Sequence, residues 1–509
     1  MKRLIALSCL YPGFSALAAA QAGGEVTGNS PRTAGLAGAG LAGAVDLTEA
    51  SHNPAMLGFL LAGERSGQVE FSLRGISNPV IGNTLAGDRF TSSDFTGLGP
   101  WMGIGFSLPG DFSAGLNVVP TAGGSIHMNR LTQLNIAADE STPGSGVFDD
   151  PREHMIEIEN DIMQVSVDPS FAWTPAPGVS FGIGASFRTT EMALASATEF
   201  DLDKMAGATP PPLDGLGATW GEFLKALGDA SGRELSHFQV DYSADAEADM
   251  LSYLRLGFAW ESDTGARFGF WYRPPSTSTD LSGTVDIDLD ADLGDIIRQV
   301  FGPDASTTSS YDININEIRF PQQIGMAYMM PTTRVDRLHF QAAWTQWSQT
   351  FDGWTAVLTG GDNDNFNEML GGDGSTDFDL DNVWDDSLAL SIGWEHDWQW
   401  APGPWARQQI AEHGEVKEGW DATTRLGVGW SSNPVGGSIV PGLMPYNQWH
   451  VGAGISLRSA PFGGHWNIGA VVALPQTLKV GENDVLSDLS YDTYRQTNYA
   501  VMVGYSRSW

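Results

Sequence analysis

The sequence predicts an all-β protein: a transmembrane antiparallel β-barrel of about fourteen strands with a small N-terminal plug inside it. Three observations predict it. Apolar residues alternate with polar or small ones along many short runs. A secretory leader opens the chain, yet no later stretch is apolar enough for a membrane helix. Trp and Tyr gather at the ends of the alternating runs. Strands that face lipid on one side and a lumen on the other have period 2, and aromatic girdles mark the two interfaces.

The leader comes first. Lys2 and Arg3 precede an apolar run from Leu4 through Ala20, closed by small residues, so residues 1–22 read as a signal peptide. The single cysteine, Cys9, lies within it, which leaves no disulfide framework for the rest. The chain holds 509 residues without a linker or a 20–50-residue repeat, so one large domain spanning 66–509 follows a short N-terminal segment, 23–65. A formal net charge of −35 argues against nucleic acid as a partner, because phosphate recognition needs Lys and Arg. The acidic excess is expected on external loops and in the lumen.

The strands follow in order. Val69, Phe71 and Leu73 form the first apolar stripe, and Met102, Ile104, Phe106 and Leu108 the second. A strand from Phe112 to Val118 is next, then Val165 to Trp173 and Val179 to Phe187. The pattern resumes at Leu254–Trp260 and Phe268–Tyr272, and again at Ile324–Tyr328 and Leu338–Trp344. Leu388–Trp394, Leu426–Trp430, Trp449–Leu457, Trp466–Ala470 and Tyr499–Trp509 complete the set. The girdle residues expected are Trp101, Trp173, Trp260, Tyr272, Tyr328, Trp344, Trp347, Trp394, Trp430 and Trp449. Short turns such as Pro175–Gly178, Asp263–Ala266 and Pro331–Thr333 alternate with long segments at 125–161, 189–249, 274–317, 351–384 and 401–419. Short turns on one side and long loops on the other is the outer-membrane arrangement.

Several segments lie outside this pattern. Ala34 to Ala44 is a run of small residues, followed by Asp46 and by Asn53-Pro54-Ala55. Small residues let backbones pack closely in a confined space. Trp220, Phe223, Leu224 and Leu227 have helical spacing, as do Leu293, Ile296, Ile297, Val300 and Phe301. These predict two amphipathic helices on long loops, able either to form an apolar groove together or to pack each loop onto the rim. Pro120 and Gly123 follow Val118 and Val119, where proline removes a ladder donor; the strand either kinks there, breaking the wall, or ends.

On these residues the chain resembles the FadL-type outer-membrane transporters of fatty acids and aromatic hydrocarbons. The segment Gly35 to Leu57 is similar to their N-terminal hatch, Arg255–Arg273 to a central hairpin, and Pro321–Ser348 to a later one. Asn447–Gly454 and the aromatic terminus also match. The resemblance implies a fourteen-strand barrel plugged by the hatch, with ligand capture between two long loops, a tighter internal pocket, and an exit opened by hatch movement and a kink in the third strand. It implies passive uptake of hydrophobic compounds across the outer membrane of a Gram-negative cell, with no cofactor. Partners implied are hydrophobic small molecules, outer-membrane lipids, lipopolysaccharide and the barrel-assembly machinery, with the chain a monomer. Fatty-acid members hold a carboxylate with basic residues, and one such position falls near Ser196 here. That departure and the acidic balance favour neutral hydrocarbons or aromatics, with Lys204, Lys225, Arg188 and Arg298 left as alternative anion partners.

Other functions leave weaker traces. An outer-membrane lipid hydrolase needs a Ser and a His on adjacent strands, and His339, His450 and His465 have no such companion in sequence. A general porin or adhesin barrel shares the strand pattern. No metal is expected: the histidines lack metal-ligand spacing, and the acidic clusters at 362–368 and 373–381 do not fit an EF-hand, because Asn367 stands where its glycine belongs.

Overall fold

A computed structural model describes residues 21–22, 25–26, 30–43, 46–61, 66–77, 80–83, 89–92, 95–133, 153–201, 219–230, 237–350, 354–369, 374–380, 385–398, 422–434, 449–459, 464–479 and 493–509. Residues 1–20 of the segment read as a signal peptide (1–22) lie outside them, as do Lys204 and residues 401–419. Fourteen antiparallel strands form a closed barrel. In chain order they are β1 (Gly67–Ser77), β2 (Phe95–Leu108), β3 (Phe112–Gln133), β4 (Glu153–Ala176), β5 (Val179–Asp201), β6 (His237–Glu261) and β7 (Arg267–Arg273). Then come β8 (Gln323–Pro331), β9 (Asp336–Thr345), β10 (Ser387–Trp398), β11 (Ala422–Ser431), β12 (Trp449–Ser459), β13 (Gly464–Lys479) and β14 (Thr493–Ser508).

Each strand alternates as a membrane wall requires. Val69, Phe71 and Leu73 on β1 are exposed while Gln68, Glu70, Ser72 and Arg74 are buried. On β14, Tyr499, Val501 and Val503 face out while Asn498, Ala500 and Met502 face in. The exposed apolar residues form the lipid belt; the buried polar ones line the interior. Charging the belt tests this directly. Val501→Arg, in the middle of the β14 stripe, is expected to cost about 2–4 kcal/mol in a lipid-refolded barrel. Urea titration would read it, and a neutral result would mean that the face does not meet lipid.

The seam joins β14 to β1, from Tyr499 opposite Ser77 to Ser508 opposite Gln68. Trp509 completes it: its carbonyl accepts from Ser66 N at 2.8 Å and Gly67 N at 3.2 Å, and its own N–H donates to Gly67 O at 3.1 Å. Its ring meets Phe106 edge-on at 6.3 Å.

Three expectations need correction. The segments 189–249 and 274–317 are not loops throughout. β5 and β6 run on beyond their apolar stripes, and Thr279–Asp288 pairs with Thr308–Ile318 to extend the wall. The 125–161 and 351–384 segments likewise contain strand, the latter as Trp354–Thr359 paired with Thr376–Leu380. Beyond the bilayer neither strand face meets lipid, so the apolar stripe that marks a strand fades although the ladder continues. Third, Trp101 and Trp347 are buried and belong to no girdle. Met102 faces out, so period 2 turns Trp101 inward.

Candidate functional site

Residues 30–43 and 46–61 pack against the inward faces of the strands. Ser30 opens the short helix α1 (Pro31–Gly35): its Oγ accepts from Thr33 N at 3.1 Å, and Thr33 Oγ1 accepts from Ser30 N at 3.0 Å. Proline at the first helical position suits this start. The following small-residue run lies on glycines. Gly427 pairs with both Gly393 and Gly452, and a Cβ on Gly427 would stand 2.2 Å from the carbonyl carbon of Leu36. Only bare backbone admits this approach.

The Asn53-Pro54-Ala55 turn docks in the same way. Asn53 Oδ1 accepts from Ala55 N at 3.1 Å and caps the 3-10 turn, while Nδ2 donates to Phe258 O on β6 at 3.1 Å. Beneath it, Gly257 of β6 faces Gly182 of β5; a Cβ on either would lie 2.1 Å from the turn. Ser180 Oγ donates to Ala55 O at 2.8 Å, and Arg255 Nη1 donates to Ala50 O at 2.8 Å. Leu47 is tied on both sides, its N–H to Glu70 Oε2 at 2.9 Å and its carbonyl to Asn117 Nδ2 at 3.0 Å. Asp46 is turned inward on the segment itself, accepting from Ser30 Oγ at 2.7 Å and from Thr48. Leu47, Leu57, Leu60 and Leu61 make an apolar cluster with Trp101 and Val119 of the wall.

One charged cluster joins segment to wall, and it has no local signature along the chain. Arg32 pairs with Glu49 at 2.5 Å and with Glu395 of β10 at 3.2 Å. Glu395 also takes Arg425 of β11 at 2.5 Å and Arg337 of β9 at 2.7 Å. Burial by itself would lower the Arg32 pKa, but Glu395, Glu49 and Asp46 outweigh it and hold the guanidinium above its ordinary value, charged throughout. A polar cavity of about 380 Å³ opens at the end with the short turns, lined by Arg32, Arg267, Arg334, Arg337, Glu395 and Arg425 among others.

At the other end lie the helices α2 (Trp220–Ala230) and α3 (Asp290–Phe301). Trp220 stacks on Phe301, with centroids 5.5 Å apart, and meets Phe223 edge-on at 5.7 Å. The structure thus brings the two helices into contact through Trp220 and Phe301, with Phe223 packed against Trp220 on the same helix. Trp220, Leu224, Leu293 and Ile297 are fully covered, while Phe223 and Phe301 stay partly exposed at the margin. The side chains of Leu227, Ile296 and Val300 lie outside the described residues.

Pro120 does not end its strand. β3 continues to Gln133, but its register against β4 shifts between Pro120 and Ala122. On its other edge β3 pairs with β2 only as far as Val118 opposite Met102, and pairing resumes at Met128 and Asn129 with Ser92 and Thr91. Among the described residues the stretch between is bonded to β4 alone. Side chains from Pro120 through Gly123 lie outside the description.

No protein-family model and no curated protein matches the sequence. Solved structures do. A Pseudomonas putida toluene transporter, TodX, superposes with a TM-score of 0.61 at 13% identity, covering 91% of this chain and 94% of that one. The Ralstonia pickettii toluene transporter TbuX gives 0.59 at 14% identity over 95% and 99%. A Pseudomonas aeruginosa FadL homologue gives 0.60 at 14% identity over 95% and 98%. At identities this low the likeness carries architecture, and the architecture is that of the FadL-type outer-membrane transporters.

Proposed function

We propose that the chain is a passive outer-membrane channel for hydrophobic compounds, such as long-chain fatty acids or hydrocarbons and aromatics. The observation that carries this is a lipid-belted barrel whose interior is occupied by its own N-terminal segment, with an aromatic cluster between two helices at the far end. An open porin would leave the lumen to water. The two toluene transporters of the same fold support an apolar cargo.

In this reading Phe223 and Phe301 receive the ligand, and the segment at Asp46 and Asn53-Pro54-Ala55 is the gate. The half-bonded stretch of β3 beside Pro120 and Gly123 is the way out. Burial of apolar surface at roughly 25 cal/mol per Å² draws the ligand from water without an energy source, and release requires the gate to change shape.

Tryptophan fluorescence of the full chain refolded in detergent tests it, with oleate and toluene as titrants. Saturable quenching by at least one is expected. Phe223→Asp with Phe301→Asp is expected to weaken it roughly tenfold or more, since each ring contributes about 1.5–3 kcal/mol when covered. Absence of saturable binding together with free sugar passage in liposome swelling would leave a porin instead.

A further inference from the structure

Cations are scarce in this chain, 26 lysines and arginines against 61 acidic residues, yet five arginines line one cavity. It is the space of about 380 Å³ at the end with the short turns. Arg32 comes from the N-terminal segment, Arg267 from β7, Arg334 from the β8–β9 turn, Arg337 from β9 and Arg425 from β11. Two carboxylates, Asp46 and Glu395, share the lining.

We propose that this cavity is a phosphate site. It takes inorganic phosphate or a small phosphate monoester from the short-turn side, and the bound anion ties the N-terminal segment to the wall. The site lies at the opposite end from the aromatic cluster and does not depend on which apolar compound the barrel carries.

Hydrogen-bond accounting comes first. Both lining acids are occupied. Glu395 Oε1 accepts from Arg337, and Oε2 accepts from Arg32 and Arg425. Asp46 accepts from Ser30 and Thr48. The donors are in surplus. Arg32, Arg337 and Arg425 each give Nε and one terminal nitrogen to bonds within the protein. Arg267 does the same through Glu261 and Gly43. The second terminal nitrogen of each makes no hydrogen bond among the described residues. Arg334 is exposed, and none of its N–H groups bonds to a described residue. A guanidinium has five N–H donors and no acceptor, so only an added acceptor completes the set. Water meets such donors singly; a phosphate meets several at once through charge-assisted bonds.

The arrangement of the donors selects among anions. The arginines converge from separate elements around the cavity. A carboxylate offers two oxygens in one plane, whereas the oxygens of a phosphate point to the corners of a tetrahedron and can meet donors from several sides. Hydroxyls of Thr333, Thr423, Ser506 and Ser508 line the remaining space, which suits the polyol part of a monoester. Met329 and Pro331 are the larger apolar members of the lining, too few to hold a greasy tail. The other acids that neutralise these arginines, Glu49, Glu261 and Asp397, stand outside the lining.

The tie follows from which arginine belongs to what. Arg32 is part of the segment, and the other four belong to the barrel. Glu395 already grips Arg32 from the wall. A phosphate shared by Arg32 and Arg334 adds a second grip, this one supplied from outside the protein.

The test is calorimetric titration of inorganic phosphate into the full chain refolded in detergent, with sodium chloride at matched ionic strength as reference. Saturable binding of phosphate and none of chloride is expected. Arg334→Gln is expected to weaken it roughly tenfold, the worth of one charge-assisted hydrogen bond. Arg334 has no protein partner to lose, and heat-modifiable migration on gels shows that the variant is a folded barrel. Arg298→Gln, which removes an exposed arginine from the far helix, is expected to leave phosphate binding unchanged. Glycerol 3-phosphate is expected to displace phosphate where glycerol does not. Hydrogen exchange of the α1 amides is expected to slow in phosphate and not in chloride. Absence of saturable phosphate binding, or equal binding by Arg334→Gln, overturns the site. Displacement of phosphate by oleate overturns it too, by assigning the cavity to the cargo. Binding that leaves α1 exchange unchanged overturns the tie between segment and wall.

Discussion

Glu395→Gln is expected to cost the barrel about 3–5 kcal/mol, read as a fall in the urea midpoint of the refolded protein. The substitution keeps the shape and removes the charge. Glu395 is the common partner of Arg32, Arg337 and Arg425 and is almost wholly buried, so three guanidinium groups lose a counter-ion at once. Glu49 remains for Arg32 and Asp397 for Arg337, but neither reaches Arg425 among the described residues. Arg32→Met is the informative companion. It removes one cation from the same cluster, so in the Glu395→Gln background it relieves repulsion and returns part of the loss, with a coupling of about 1–3 kcal/mol. Additive losses would show that Arg32 and Glu395 do not act on each other. A change under about 1 kcal/mol for Glu395→Gln would mean that the cluster is hydrated.

Gly257→Val is expected to act on the gate rather than on the wall. The new Cβ would stand 2.1 Å from Asn53 Oδ1 and 2.9 Å from Ala55 N, so the Asn53 cap and its bond to Phe258 cannot both persist. Overpacking costs about 1–3 kcal/mol and a lost cap about 1 kcal/mol. The outward neighbours Leu256 and Phe258 keep their pairing with Tyr272 and Phe270, so the barrel itself stays closed. The consequence to measure is leak: sugar-driven liposome swelling faster than with unaltered protein, alongside reduced stability. Leu256→Val, on the outward face of the same strand, is expected to leave leak unchanged. An unchanged leak in Gly257→Val would show that the Asn53 turn does not hold the gate shut.

The wall was legible because lipid imposes a period. Val69–Leu73 or Tyr499–Val503 declares a strand wherever one face is greasy and the other wet, and fourteen such stripes became fourteen strands. The period fades where lipid ends, which is why 189–249 reads as loop although β5 reaches Asp201 and β6 begins at His237. Trp101 stands at a strand end, where a girdle residue is expected, but its parity beside outward Met102 turns it inward. Pairings across the lumen left no local trace: Arg32 and Glu395 are 363 positions apart, and nothing near either announces the other. The Asn53 motif was the exception. Its meaning is local, a capped turn, and only its seat on Gly182 and Gly257 required the fold.

The way in which the barrel is filled also bears on how it forms. Ser66 bonds to Trp509 across 443 positions, His450 to Ala37 across 413, and Asn53 to Phe258 across 205. Contacts this remote in sequence reward the chain only after the intervening length has been ordered, so topology of this kind folds slowly. The two seam strands each touch the early residues as well: Glu70 of β1 holds Leu47, and Gly504 of β14 lies against the ring of Pro31. Closing the cylinder and seating its contents therefore draw on the same residues. Residues 30–43 and 46–61 thus present the surface against which the cylinder closes, and β14, bonded to β1, is the edge that fastens it.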